Sequence, residues 1–345
     1  MNPFALLLLT ALGPASWGST YLVTSEFLPE GLPFTAAVIR CLPAGLILIA
    51  LSHLLSKGPA SKTGNAQVIP ARGLLPTKEQ WPRLLLLSAL NIGCFQAMLF
   101  VAAYRLPGGL AAVIGAVQPL ILLLMIWALQ KQPPGKIALI ACITAIVGMA
   151  LLILSPTEGE VSGEQVSWDL IGIGAASLGA LSMALGVYYS RYGQRSNQHD
   201  QKTATSTELP LIALTGWQLA LGGLMLLPLA LLLEPVLPTL TAENLLGYGY
   251  LSLFGTLIAY LLWFQGIQKL PAVMVSTLGL LSPLTAVALG WVFLNQAIEG
   301  WALAGLVLVV LSILAVQLSP WLPELLKPLG QGSSKKAAGG QLPAE

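Results

Sequence analysis

Ten stretches of about 20 mostly apolar residues follow one another along the chain, over 4–24, 33–52, 83–103, 108–129, 135–155, 168–190, 210–233, 244–267, 272–294 and 299–318. At 1.5 Å of rise per residue, each is long enough to cross a hydrocarbon layer of ~30 Å as a helix. Several connections hold only a few residues, which forces neighbouring helices into antiparallel pairs. Two connections are longer and polar, His53 to Pro82 and Ser190 to Glu208, the second reading as a flexible linker. The first apolar run lacks a basic leading region and carries Pro14 and Trp17-Gly18 in its middle, so it reads as a retained span rather than a cleaved leader. The pattern predicts an all-α polytopic membrane protein of ten transmembrane helices.

Composition points the same way. Of 345 residues, 56% are hydrophobic and 9% charged, with a mean hydropathy of +0.80. A soluble domain carries roughly 25% charged residues, and so apolar a chain cannot cover a surface with charge. A lipid-facing surface needs none. Cys41, Cys94 and Cys142 all lie inside apolar runs, a placement that suggests neither a disulfide framework nor a metal site, and no cofactor is expected.

The placement of charge orients the bundle. With the N-terminus in the cytoplasm, 14 of the 16 basic residues fall on the cytoplasmic side, from Lys57 through Lys131, Lys136, Arg191 and Lys269 to Lys336. Arg40 and Arg105 are left over. The acids Glu158, Glu164, Asp169, Glu234 and Glu243 fall outside. Basic bias sets orientation, so both termini are expected inside, with an even number of spans.

Asn91–Gln132 laid over Gly255–Gln296, at a constant offset of 164, matches Phe100 to Phe264, Leu106-Pro107 to Leu270-Pro271, Gly115 to Gly279, Pro119 to Pro283 and Trp127 to Trp291. Paired prolines, glycines and tryptophans without a gap indicate duplication. Each copy holds five spans, and five is odd, so the second copy enters the membrane inverted. The halves are 1–155 and 156–320, followed by a cytoplasmic tail, 321–345, with the composition of a disordered segment. The inversion also places Arg105 outside, because its counterpart Lys269 is inside. Inverted repeats are the architecture of many secondary transporters.

Several blocks resemble one known group: Trp17-Gly18-Ser19-Thr20, the stretch from Pro33 through Arg40 to Leu42-Pro43-Ala44-Gly45, Trp217-Gln218, Tyr260-Leu261-Leu262-Trp263-Phe264, Leu270-Pro271-Ala272, Ser282-Pro283-Leu284 and Gly290-Trp291. Across residues 4–318 the chain is similar to the drug/metabolite transporter superfamily, in its EamA-type branch. The resemblance implies export or import of amino acids, their derivatives, nucleotides, sugars or drugs, commonly by proton-linked or exchange transport. One departure stands out. Where the family pattern ends the fourth span of each half near a Gly-Glu pair, this chain has Gln132 and Gln296.

Arg40, about eight residues into the second span, is the sharpest candidate for function. An ionised side chain at that depth costs at least a few kcal/mol and calls for a polar partner; snorkelling to the interface is the plainer alternative. No span core holds an acid, which leaves a hydroxyl, a carbonyl or a substrate anion as its partner. The remaining substrate-site candidates are Trp17, Gln96, Gln118, Gln218, Tyr260 and Ser282. Gln118 and Ser282 each precede a repeated proline, which is expected to bend its helix and free a carbonyl. The two histidines, His53 and His199, lie in loops, and the spans carry no paired carboxylates, HExxH or P-loop, so no enzyme chemistry is expected. Nucleic-acid binding is not expected. These observations predict a multi-pass secondary transporter of the inner or plasma membrane, monomer or homodimer, moving a small polar metabolite such as an amino acid, in efflux or uptake, by proton coupling or exchange. The alternative is a channel-like facilitator or a non-transport membrane protein.

Overall fold

The structure, a computed structural model, describes residues 3–56, 75–131, 133, 135–154, 169–192, 209–270, 278–279, 281–294 and 298–318. Gln132, Gln296, the interiors of the two polar connections and the tail 321–345 lie outside them.

All regular structure among the described residues is helical. The helices are α1 (Pro3–Gly18), α2 (Thr20–Phe27), α3 (Pro33–Ser56), α4 (Trp81–Ala103), α5 (Gly108–Gly115), α6 (Gln118–Gln130), α7 (Lys136–Leu154), α8 (Leu170–Tyr192), α9 (Leu211–Leu233), α10 (Ala242–Ser252 continuing to Ala259–Lys269), α11 (Leu281–Leu294) and α12 (Gly300–Leu318). Among the described residues six helical stretches are long and apolar enough to cross a membrane, with α5 and α6 counted together. The bent pair α1 and α2, turning by 40° at Ser19, makes a seventh. Apolar stretches within α7 and α12, and α11 itself, are shorter. The chain is therefore an all-α polytopic membrane protein.

Close packing accompanies the bend at Ser19. Gly18 lies so close to α11 that a Cβ there would sit 2.3 Å from the Ser282 carbonyl oxygen. Pro14, by contrast, is accommodated inside α1. Pro119 also behaves differently from expectation: α5 ends at Gly115 and α6 restarts at Gln118, which puts Pro119 in the first turn of a new helix. A first turn has no internal partner for that amide, so proline is tolerated there. Pro283 likewise stands near the start of α11.

Both α4 and α10 contain a single π-helical turn, Ala89–Cys94 and Leu253–Ile258. Each inserts a residue into the helix and shifts the hydrogen-bond ladder, a distortion frequent at functional sites. The two turns begin and end at the offset of 164 residues. Helices α7 and α12 begin and end at the same offset, and α6 and α11 end on it.

Four packed pairs organise the bundle: α3 with α9, α7 with α12, α4 with α8, and α1 with α10. At the α3–α9 crossing, a Cβ on Gly45 would lie 2.4 Å from the Ala220 nitrogen, and one on Gly223 would lie 2.9 Å from that of Leu42. Small residues let helix backbones approach where lipid provides no hydrophobic drive. Polar contacts staple the helix ends. Glu234, at the end of α9, accepts from the Phe34 and Thr35 amides and the Thr35 hydroxyl, which satisfies the open first turn of α3. Arg105 pairs with Asp169 at 3.0 Å, and Asp169 caps α8 by accepting from the Gly172 amide at 2.8 Å. Near the opposite end of α8, Arg83 donates to the Ser190 carbonyl at 2.8 Å.

Candidate functional site

Arg40 is the centre of the site. Helix α3 buries it to 3% exposure, so it does not reach the interface. Its Nε donates to the Thr256 hydroxyl at 3.1 Å and its Nη2 to the Gly255 carbonyl at 3.2 Å. Both acceptors belong to the π-turn of α10. There the turn leaves the Gly255 carbonyl open to a side-chain donor, while the Thr256 hydroxyl donates to Leu251 at 3.0 Å, back across the distorted turn. The guanidinium carbon lies 5.8 Å from the ring centre of Phe100 on α4, within the range of a cation–π contact. A hydroxyl, a carbonyl and an aromatic face hold the cation, and Nη1 is buried with no hydrogen-bond partner among the described residues. A buried donor without a partner is expensive, more so when charged.

Aromatic side chains surround this group. Trp17 lies 5.4 Å from Tyr260 and 5.4 Å from Trp263, ring centre to ring centre. The Ser19 and Tyr250 hydroxyls are 2.7 Å apart, which ties the α1–α2 bend to α10, and Tyr250 stacks on Phe254. Tyr21, Tyr250 and Tyr260 all stand within electrostatic range of Arg40. Thus Trp17 packs on Tyr260, and Tyr260 stands within electrostatic range of Arg40.

Gln218 belongs to a second group. On α9 its Oε1 accepts from Asn91 Nδ2 at 3.1 Å, and Asn91 lies in the π-turn of α4. Close by, the Ser182 hydroxyl of α8 donates to the Leu90 carbonyl of the same turn at 2.8 Å. Gln96 is 2% exposed, one turn before Phe100 on α4, and its Oε1 has no partner among the described residues. Gln118 and Ser282 stand half-buried at the starts of α6 and α11, and neither hydrogen-bonds to Arg40 or Gln218. Sequence reasoning missed Gly255 and Thr256 as the acceptors, and Tyr250 as the partner of Ser19. Nothing in their residue types marks them, because their role comes from the π-turn. Among the described residues no group of three or more His, Cys, Asp or Glu side chains is placed to hold a metal ion.

This arrangement can hold an anion on a buried guanidinium beside aromatic walls, with amides further along the bundle. Known proteins match the chain over most of its length. A solved crystal structure shares the fold at a TM-score of 0.60 and 18% identity, covering 94% of this chain and 99% of that one. Protein PecM of Dickeya dadantii is 38% identical over 88% of this chain and 89% of its own length. The uncharacterised inner membrane transporter YedA of Escherichia coli K12 is 26% identical, over 92% and 94%. The EamA-like transporter family model matches residues 4–154 and 170–318. The chain therefore belongs to the EamA-like transporter family.

Proposed function

We propose that this secondary transporter moves a small polar metabolite with an anionic group, such as an amino acid or related organic solute, across the inner or plasma membrane by alternating access. Ten spans in two inverted five-helix halves, 1–155 and 156–320, with both termini cytoplasmic, carry the motion. Two observations support the duplication. The π-turns and the α7 and α12 boundaries keep the offset of 164, and the two stretches matched by the family model fall one on each half.

The substrate class rests on one observation: Arg40 is buried with one guanidinium nitrogen unpartnered among the described residues. A substrate carboxylate at Nη1 would complete the donor set, and a planar guanidinium suits that geometry better than an ammonium does. Trp17 and Tyr260 form the wall beside it; Gln96, Gln118, Gln218 and Ser282 supply neutral polar positions for the rest of the solute. Proton coupling and substrate exchange are both compatible with this site.

Reconstituted protein tested against pooled metabolites, with and without a pH gradient, identifies the substrate. Arg40→Lys should weaken transport of the acidic or zwitterionic solute, and Arg40→Gln should nearly abolish it, at wild-type abundance. Wild-type transport by both variants would make Arg40 a structural residue. Non-saturable flux would favour a facilitator instead.

A further inference from the structure

The two polar groups of the site are reciprocal. Arg40 in α3 and Gln218 in α9 each stand seven residues after the first residue of their helix, and each reaches the π-turn of the opposite half. Their partners correspond as well, since Asn91 matches Gly255 at the offset of 164. The surrounding contacts repeat. The Ser182 hydroxyl donates to Leu90, and the Ser16 hydroxyl donates to Phe254, the counterpart of Leu90, at the longer distance of 3.5 Å. A Cβ on Gly179 would meet the Phe95 carbonyl oxygen, and one on Gly13 would meet that of Ala259, again 164 residues on.

Position along the crossing separates the two groups. Helices α3 and α9 are antiparallel, with Leu42 against Gly223 and Gly45 against Ala220. Counted on that register, Gln218 falls opposite residue 47, which is seven residues, or about 10 Å, beyond Arg40. Arg40 lies toward the face of Arg105 and Asp169, and Gln218 toward the face of Arg83. Cys41 is fully buried between them, in a cluster with Ile92 of one π-turn and Leu219, against which Leu257 of the other π-turn packs.

We infer that Arg40 and Gln218 are paired latches: Arg40 on the α10 π-turn closes the route from the Arg105 face, and Gln218 on Asn91 closes the route from the Arg83 face. Their chemistry is unequal. Opening the Gln218 latch parts two neutral amides, whereas opening the Arg40 latch strips a buried cation of both its acceptors. The unliganded carrier therefore opens toward the Arg83 face. An anion at Nη1 is what lets the Arg40 latch release. This deepens the transporter reading and rests on it, but its test needs no substrate.

Cys41, as the sole cysteine in a Cys94→Ser, Cys142→Ser full-length background, reports which latch is open. Right-side-out and inverted membrane vesicles are treated with a membrane-impermeant methanethiosulfonate, and the rate of Cys41 modification is read from each face. The background protein should react faster from the Arg83 face. Asn91→Ala should raise that rate about tenfold and lower the rate from the Arg105 face. Arg40→Gln should do the reverse, as should Thr256→Ala, which spares the arginine if Arg40→Gln fails to fold. Equal rises from both faces, a shift toward the same face in both kinds of variant, or no shift would overturn the assignment. Opposite shifts in a protein that moves no solute would instead count against the transporter reading alone.

Discussion

Two helix crossings use the same device and differ in what surrounds it. At the α3–α9 crossing, Gly45, Gly216 and Gly223 bring the backbones together. At the α7–α12 crossing, Gly148 does so against Gly305, where a Cβ would sit 2.8 Å from the carbonyl oxygen. Arg40 and Gln218 flank the first crossing and reach out to other helices. The hydroxyls of the second turn back on their own helices instead: Thr144 donates to Ile140 at 2.9 Å and Ser312 to Leu308 at 2.7 Å. Its outward side chains, Ile140, Ile143, Ile146, Trp301, Val307 and Leu311, are exposed and apolar, as a lipid-facing surface requires. Close approach through glycine is thus a general way of joining helices in a bilayer. Polar residues that leave their own helix within the bundle, Arg40 and Gln218, set the first crossing apart.

The strongest test of this contrast puts bulk into both crossings. Gly45→Leu places its Cβ against backbone that cannot move aside, so folded protein should be nearly absent, a loss above about 3 kcal/mol. Gly148→Leu also meets close atoms, the Gly305 oxygen and the Leu308 Cβ at 2.9 Å. That crossing lies at the lipid-facing edge, so part of the protein should fold, and its transport per folded molecule should match wild type. Yield by fluorescence-detected gel filtration together with transport normalised to it reads both effects. Reduced normalised transport in Gly148→Leu would show that the α7–α12 crossing moves during the cycle.

A finer test stays at the first crossing. Asn91 packs so tightly on α8 that a Cβ on Gly186 would lie 1.7 Å from its Oδ1. Gly186→Ala must therefore shift the Asn91 amide from the position in which it donates to Gln218. A double-mutant cycle between Asn91→Ala and Gln218→Ala should give a coupling of about 1 kcal/mol in thermal stability in detergent. In the Gly186→Ala background that coupling should vanish. A coupling that survives there would mean Asn91 and Gln218 interact by another route.

The long apolar helices and the depth of Arg40 are legible in sequence because each depends on one-dimensional quantities, the length of an apolar run and the position of a charge within it. With no acid in the span cores, the partner of Arg40 is expected to be a hydroxyl, a carbonyl or a substrate anion, and Thr256 and Gly255 provide the first two. The π-turns are not legible. One inserted residue leaves the hydropathy unchanged, and ALNIGC and LFGTLI share no residue at any matched position. Proline was only half-informative. Pro119 marks the restart of a helix rather than a bend within one, since the break at Ala116-Val117 precedes it. Nor does one run of apolar residues disclose that Gly18 must meet α11, which is a contact between segments more than 260 residues apart.

The smallest effect belongs to Arg105 and Asp169, a polar contact between helices that lies outside both crossings. The pair is partly exposed, with side-chain exposures of 43% and 27%, so its strength is a few tenths of a kcal/mol. Asp169 has two tasks: one oxygen accepts from Gly172 and caps α8, and the other pairs with Arg105. Asp169→Asn keeps an acceptor for the cap and removes only the charge, so it should lower stability by no more than about 0.5 kcal/mol. Asp169→Ala loses the cap as well and should lower it by about 1 kcal/mol further. The pH dependence has a definite sign. The Gly172 amide, and after it Arg105, hold the Asp169 carboxyl below the usual carboxylate range. Its contribution is therefore complete above the unfolded value of about 3.9 and is lost as the pH falls through the lower folded value. Thermal unfolding in detergent should separate wild type from Asp169→Asn at pH 7, bring them together in acid, and narrow the gap at 1 M salt. If Asp169→Asn instead lowers stability as much as Asp169→Ala, the charge matters more than the cap. This edge contact would then rank with the Arg40 group as a polar anchor between the helices.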